Sequence, residues 1–305
     1  MLLNLRDILL VLIGFIQSFI KLFLWRPDVV FAKGGFVSLP VGVAAKLLGV
    51  PIVIHDSDAH PGLTNRVLSR WAKYIATGAP VEYYNYPSNK VYYLGVPIGS
   101  NFFKYDKKQQ FQAKLEWGFN PKRPLIVVTG GGLGANRLNI AVSQILKEVL
   151  AKYSLALISG STNYDKMKSI VPKNSDIFQL YPFVSENIDT LFGAADVVVA
   201  RAGATTILEL SAMSKPTILV PNLQLTGGHQ YKNAKVYSNA KAAEILIEND
   251  ISVNPEVILK KIDEIIENKK YRTELSTNFN KFAKPKAAED VANLIIKASR
   301  TNDKK

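Results

Sequence analysis

At 305 residues the chain is long enough for two domains with separate cores, and 48% hydrophobic with 21% charged residues is an ordinary globular balance. No cysteine is present, which excludes disulfides and thiolate metal sites, and three scattered histidines (His55, His60, His229) give little support to a histidine-built metal centre. A formal charge of +13, from 38 basic and 25 acidic residues, turns the chain toward anionic partners such as a membrane surface or a phosphorylated substrate. The plainer reading of that charge is a lysine-rich solvated surface. No nucleic-acid partner is expected, because no compact basic cluster is interleaved with aromatics.

The first predicted element is the apolar run from Ile8 to Trp25. No small-residue cleavage site follows it, which argues against a signal peptide. It stands at the short end of the ~20 residues a spanning helix needs, and Gln17 and Lys21 interrupt it. Gly14, Gln17, Ser18 and Lys21 recur at helical spacing and leave a broad apolar arc, the pattern of a helix lying on an interface. The competing reading is a helix that packs inside its own domain.

Next come a short strand, DVVFA (28–32), a helix in VSLPVGVAAKLLG closed by Gly49, a strand PIVIH (51–55), a helix over 63–74, and two strands in IATG and VYYLGVP. Strand and helix alternating at this spacing predict a parallel α/β sheet. The charged segment 100–124 reads as the junction, giving domains over 1–120 and 121–305, with the last helix free to pack back on the first domain. The alternation then restarts with PLIVV (124–128), a helix over 136–152, LALIS (155–159), a strand near IFQLYPF, DVVVA (196–200), a helix over 205–213 and TILVP (217–221). Two such units predict a pair of Rossmann-like domains facing a cleft, with ligands at the carboxyl ends of the strands.

Four stretches can carry chemistry. In VVTGGGLGANRLN (127–139) a strand runs through Gly130–Ala135 into a helix, so the backbone can approach a phosphate at a helix start. A dinucleotide fold would need an acid at the end of the next strand, and Ile158-Ser159-Gly160-Ser161 has none. A glycine turn without a ligand is the other alternative. In DVVVARAGATTILELSAMSKPTILVP (196–221) the turn Arg201–Thr206 offers a second helix start. Glu209, one turn further on, can accept hydrogen bonds from a vicinal diol; against this stand a solvated Glu209 and a surface ion pair for Arg201. In LTGGHQYKNAKVY (225–237), His229, Gln230 and Asn233 suit sugar hydroxyls or are simply a polar helix start. In IHDSDAHPGLTN (54–65), Asp56, Asp58 and His60 are candidate general bases, with Asp56 equally suited to cap the turn.

Together these motifs, with RPDVVFAKGGFVSLPVGVAAKLLGVPIVIHDSDAHPGLTNR and HQYKNA, resemble glycosyltransferase family 28 from Arg26 to about residue 245. The resemblance implies a GT-B fold and an inverting transfer. N-acetylglucosamine would pass from UDP-N-acetylglucosamine to an undecaprenyl-pyrophosphate-linked muramoyl-peptide, with no metal and no cofactor. The alternatives are a related glycolipid glycosyltransferase, and a donor-binding subunit or inactive remnant of a split glycosyltransferase. Carried over by position, Gly131, Gly132 and Gly134 would lie near the diphosphate and Val184 by the uracil. Ala204, Thr205 and Thr206 would meet the phosphates and sugar, Glu209 the ribose hydroxyls, and His229 and Gln230 the sugar. Asp58 is the candidate base.

The family's pattern has Asn at Asp58, Glu at Asp56, Ser-Gln at Gly132-Leu133, Gln at His229 and an arginine at Gly99. Its G-G-T-G-G-H acceptor loop, which is thought to supply the base, is absent here. The first domain is therefore expected to be incomplete by roughly two βα units of ~30 residues. Either the reading frame begins late or a second chain supplies them. The resemblance also implies a hydrophobic helix that docks peripherally on the cytoplasmic face of the cell membrane, which suits the arc of Ile8–Trp25.

Overall fold

The computed structural model describes residues 2–131, 134–224 and 226–300. The chain divides into two compact units, Met1–Pro97 with Lys286–Lys305, and Ile98–Pro285.

In the first unit four parallel strands stand in the order β1 (Val30–Ala32), β2 (Ile52–Asp56), β3 (Tyr74–Thr77), β4 (Val91–Tyr93). Helix α1 (Leu2–Trp25) precedes β1, and α2 (Ser38–Leu47) and α3 (Leu63–Leu68) join the first three strands. The predicted helix over 63–74 is cut short because Lys73 N–H already bonds Ile52 O (2.8 Å) and the chain has entered the sheet. Successive residues of β2 point to opposite faces. Ile52 and Ile54 join Leu22, Ala44, Ala45 and Leu68, while Val53 joins Ala76, Val291, Leu294 and Ala298. The second set needs a helix from the far end of the chain. It is α14 (Ala287–Arg300), held also by Lys73 Nζ donating to Ala298 O (2.9 Å).

Helix α1 splits its apolar residues between two faces. Phe15, Phe19 and Leu22 pack into the core with α2, Gly14 approaches Pro40, and Ser18 Oγ returns a hydrogen bond to Gly14 O (2.6 Å). Gly14 and Ser18, read from sequence as part of a polar edge, thus mark the packed face, where small residues let helices approach. The other face leaves Leu9, Leu12, Ile13, Ile16, Ile20, Phe23 and Leu24 exposed, ending at Trp25, 78% exposed. Arg26 ends the helix in the left-handed region (φ 51), its N–H on Leu22 O, and Pro27 prevents continuation.

The second unit holds six parallel strands in the order β10-β9-β8-β5-β6-β7. These are β5 (Leu125–Thr129), β6 (Ser154–Ile158), β7 (Phe178–Tyr181), β8 (Val197–Ala200), β9 (Thr217–Leu219) and β10 (Glu244–Ile245). The helices are α4 (Lys107–Glu116), α5 (Asn136–Gln144), α6 (Leu146–Lys152), α7 (Tyr164–Lys168), α8 (Ile188–Ala194), α9 (Ala204–Ala212), α10 (His229–Asn239), α11 (Glu248–Val253), α12 (Glu256–Glu267) and α13 (Lys269–Asn280). The helix predicted over 136–152 is broken at Ile145 (φ −107, ψ 11). Central strands β5 and β8 are buried throughout, as near-continuous β-branched runs require when helices cover both faces.

The domain division differs from the predicted break at 120. Helix α4, opened by an Asp106–Gln109 capping box, belongs to the second unit. Gln110 Nε2 donates to Ala195 O (2.8 Å), and Lys114 Nζ pairs with Asp196 Oδ2 (2.6 Å), which also accepts from Leu125 N–H (2.8 Å). The polar residues that made 100–124 look like a linker are the ones that fasten it.

Candidate functional site

The strand order reverses between β5 and β8, and in parallel sheets ligands bind beyond the carboxyl ends at such a switch point. There β5 runs into the glycine loop. Gly131 N–H donates to Thr129 Oγ1 (3.1 Å) and Gly134 N–H to Gly131 O (3.0 Å), with Gly131 and Gly134 in the left-handed region (φ 68 and 70). A Cβ on Gly130 would stand 2.4 Å from Ala135 N, so the loop folds tightly on itself. Gly132 lies outside the described residues. The loop leans on the end of β6, where a Cβ on Gly160 would fall 2.7 Å from Gly134 Cα. Asn139 Nδ2 fastens α5 to that same end through Ser159 O (2.8 Å).

Across the switch point β8 runs through Arg201–Gly203 into α9. Arg201 is buried, and so is its partner Glu248 at the start of α11; Arg201 Nη1 also donates to Val220 O (3.1 Å). Arg137 adds a second cation 3.6 Å from Glu248. Sequence reading left Arg201 as anion-facing or as a surface ion pair. It is instead an internal strut joining the ends of β8 and β9 to α11. Asn233 Nδ2, on α10, bonds Ala202 O (3.1 Å) and holds the same turn from the other side.

Thr205, Thr206 and Glu209 share one face of α9, three and four residues apart. The Glu209 side chain is half-buried and makes no hydrogen bond or ion pair with another described residue. Desolvation alone raises its pKa to about 7, so the site carries an acceptor held ready at a cost. Ala204 opens the helix. His229 and Gln230 open α10, with Gln230 Oε1 accepting from Asn222 N–H (2.9 Å). Val184 lies half-buried in the loop after β7. Helices α5, α9 and α10 all begin at the carboxyl end of the sheet without a side-chain cap. Their first-turn amides have no intrahelical acceptor and point their positive dipole ends outward.

In the first unit, the carboxyl end of β2 carries the other candidates. His55 Nε2 donates to Gly95 O (2.8 Å), leaving Nδ1 to accept from Ser57 Oγ (3.3 Å). Burial lowers its pKa and favours the neutral ring, whose two nitrogens are both engaged within the protein. Asp56 accepts from Asn65 Nδ2 (2.6 Å) and Tyr86 Oη, and the Gly62 amide also bonds it, so it does hold the following turn. Its pKa is raised, with burial the main cause and the hydrogen bonds opposing. Asp58 lies half-buried on the next loop, its carbonyl accepting from Tyr84 Oη (2.7 Å). Gly78 backs that loop: a Cβ there would stand 2.2 Å from Ser57 O. Among the described residues no group of three His, Cys, Asp or Glu could hold a metal.

Sequence reading missed Gly160, Asn139 and Glu248. Gly160 carried a signal, a glycine at the end of the strand beside the glycine loop; Glu248 carried none, because its partner is distant in sequence.

The N-terminal domain of glycosyltransferase family 28 matches residues 2–77, and the C-terminal domain of that family matches residues 125–291. The chain is 32% identical over 274 residues to UDP-N-acetylglucosamine--N-acetylmuramyl-(pentapeptide) pyrophosphoryl-undecaprenol N-acetylglucosamine transferase 2 of Bacillus anthracis, covering 89% of this chain and 75% of the relative. It is 34% identical over 284 residues to the transferase of the same description from Bacillus cytotoxicus, covering 92% and 75%. Among solved structures it is similar to Acinetobacter baumannii MurG, with a TM-score of 0.76 and 27% identity over 94% of this chain and 78% of that one.

Proposed function

This chain belongs to glycosyltransferase family 28, and from that premise we propose that it transfers N-acetylglucosamine from UDP-N-acetylglucosamine to an undecaprenyl-pyrophosphate-linked muramoyl-peptide. Its two Rossmann-like parallel-sheet domains are of the GT-B type. The observation that carries the reading is the switch point itself. Two uncapped helix starts flank it, and the unpartnered Glu209 carboxylate stands on the face it shares with Thr205 and Thr206.

In this reading the diphosphate sits against the Gly131–Gly134 loop and the start of α9, with Ala204, Thr205 and Thr206 about it. Ribose hydroxyls donate to Glu209, Val184 borders the uracil, and His229 and Gln230 face the sugar. An acceptor hydroxyl attacks the anomeric carbon as the bond to UDP breaks. The charge that grows on the departing diphosphate is met by backbone N–H groups already in place, which cost no reorganisation. Asp58 takes the hydroxyl proton. Calorimetry with UDP-N-acetylglucosamine tests the donor half. Glu209→Ala should weaken binding about 100-fold, the scale of leaving two hydroxyls unmatched. No binding to the unaltered protein at millimolar donor would overturn the reading. Asp58→Asn should lower kcat about 10²–10⁴-fold while the donor affinity holds.

We also place the chain peripherally at the cytoplasmic face of the membrane. No helix among the described residues is long and apolar enough to cross one. The support is the outward face of α1, continued by Phe36, 79% exposed, and Val37. Leu10, Val11, Gly14, Phe36, Val37 and Pro40 line an apolar groove of about 450 Å³ along it. Each side chain of this size withdrawn from water contributes about 1.5–3 kcal/mol, and Lys21 and Arg26 each add about 1 kcal/mol on anionic lipid. Release of the protein by alkaline carbonate is the expected result, and retention would mean an anchor.

A further inference from the structure

A second polar cleft of about 490 Å³ lies at the opposite end of the same sheet. It sits where Asp196 leads into β8 and Pro216 into β9, at their amino ends. Four cations from three separate stretches line it: Lys104 and Lys107 at the start of α4, Lys215 before β9, and Arg272 on α13. Asp196 is the carboxylate in the lining, and it is already engaged by Lys114, Gln110 and the Leu125 amide. Lys107 stands where the helix dipole disfavours positive charge, so local helix energetics do not account for it.

Two lining groups are built in rather than solvated. Lys215 is only 6% exposed, and its ammonium donates to Gly193 O (2.7 Å) and Ala195 O (2.9 Å), leaving a third proton. Burial draws its pKa down to about 8, so an anion beside it would relieve an existing penalty. Ser214 is 8% exposed, lines the same cleft, and its Oγ has no hydrogen-bond partner. A buried hydroxyl in a folded protein is normally satisfied by protein, water or ligand, so this one is free to take a ligand oxygen.

We propose that this cleft is a second anion site that binds a phosphoryl group, with Ser214 and Lys215 as its floor and Lys104, Lys107 and Arg272 as its rim. The shared chemistry is a phosphate ester or anhydride, because ammonium, guanidinium and hydroxyl donors converge with one neutralised carboxylate. The source is either a soluble diphosphate or a phosphodiester headgroup.

The test is calorimetry on the full chain at low salt, with inorganic pyrophosphate and with glycerophosphoglycerol as probes. One of the two should bind, and Lys104→Ala/Arg272→Gln, both at the rim, should weaken it at least about tenfold. Glu209→Ala, at the other end of the sheet, should leave it unchanged. Tighter binding of pyrophosphate assigns the soluble source, and tighter binding of the diester the headgroup. Ser214→Ala separates a ligand role from a structural one: it should weaken the anion several-fold while the melting temperature holds or rises. The proposal is overturned if neither probe binds at millimolar concentration, if the rim variant binds like the unaltered protein, or if Glu209→Ala abolishes the binding.

Discussion

The two ends of the second sheet present positive potential by different means. At the carboxyl end the positive potential comes from the backbone, through three helices that start uncapped on glycine-rich or small-residue turns. At the amino end it comes from side chains, Lys104, Lys107, Lys215 and Arg272. Backbone donors are fixed in direction and suit a ligand that must be held through a change of charge. Ammonium groups on flexible stems suit attraction without such precision. At the candidate donor site the buried cation Arg201 is paired with Glu248, which Arg137 also approaches.

Three changes break this comparison, each at the carboxyl end only. Glu248→Ala should do the most damage, because it leaves Arg201 buried and unpaired. A loss of about 3–5 kcal/mol is expected in urea unfolding, moderated if Arg137 and water move in. A change below about 1 kcal/mol would mean that Arg201 is not the strut described. Gly160→Ala should cost about 1–3 kcal/mol, since the new Cβ both meets Gly134 and sits on a left-handed residue (φ 82). Donor binding should fall with it, while pyrophosphate binding at the amino end persists.

The sharpest effect is on pH. Burial raises Glu209 from 4.5 to about 7, so across that window the folded protein keeps a proton the unfolded chain has released. Stability should thus be highest below pH 4.5 as far as this group is concerned, and fall by up to roughly 3 kcal/mol as pH rises to 7. Donor affinity should run the other way, rising about tenfold per pH unit toward a plateau above 7, because only the carboxylate accepts both hydroxyl hydrogens. Glu209→Gln should flatten both curves. A pH-independent affinity in the unaltered protein would remove Glu209 from the diol.

Much of the carboxyl end was legible because its parts are contiguous. Strand, glycine loop and helix start follow one another in VVTGGGLGANRLN, and Thr205, Thr206 and Glu209 share a helix face by spacing alone. The domain division was less legible. Residues 100–124 have the composition of a linker, yet Gln110 and Lys114 are committed to Ala195 and Asp196, far along the chain. The two faces of α1 were inverted at their edge, because a small residue reads the same whether it faces solvent or a neighbouring helix. Gly14 faces Pro40 of α2, and Ser18 lies half-buried one turn on, bonded back to Gly14 O.

By itself, then, the sequence determined the parallel α/β plan, the alternation of buried strands with covering helices, and the glycine-rich turns that open helices at the carboxyl end of the sheet. Each of these depends on residues within one or two turns of each other. Tertiary structure alone decided that α14 closes the first sheet, that Arg201 is locked to Glu248, and that cations from three distant stretches line one cleft with Ser214. Those are side-chain meetings across long stretches of chain, and the order in which strands assemble, not local propensity, sets which side chains meet.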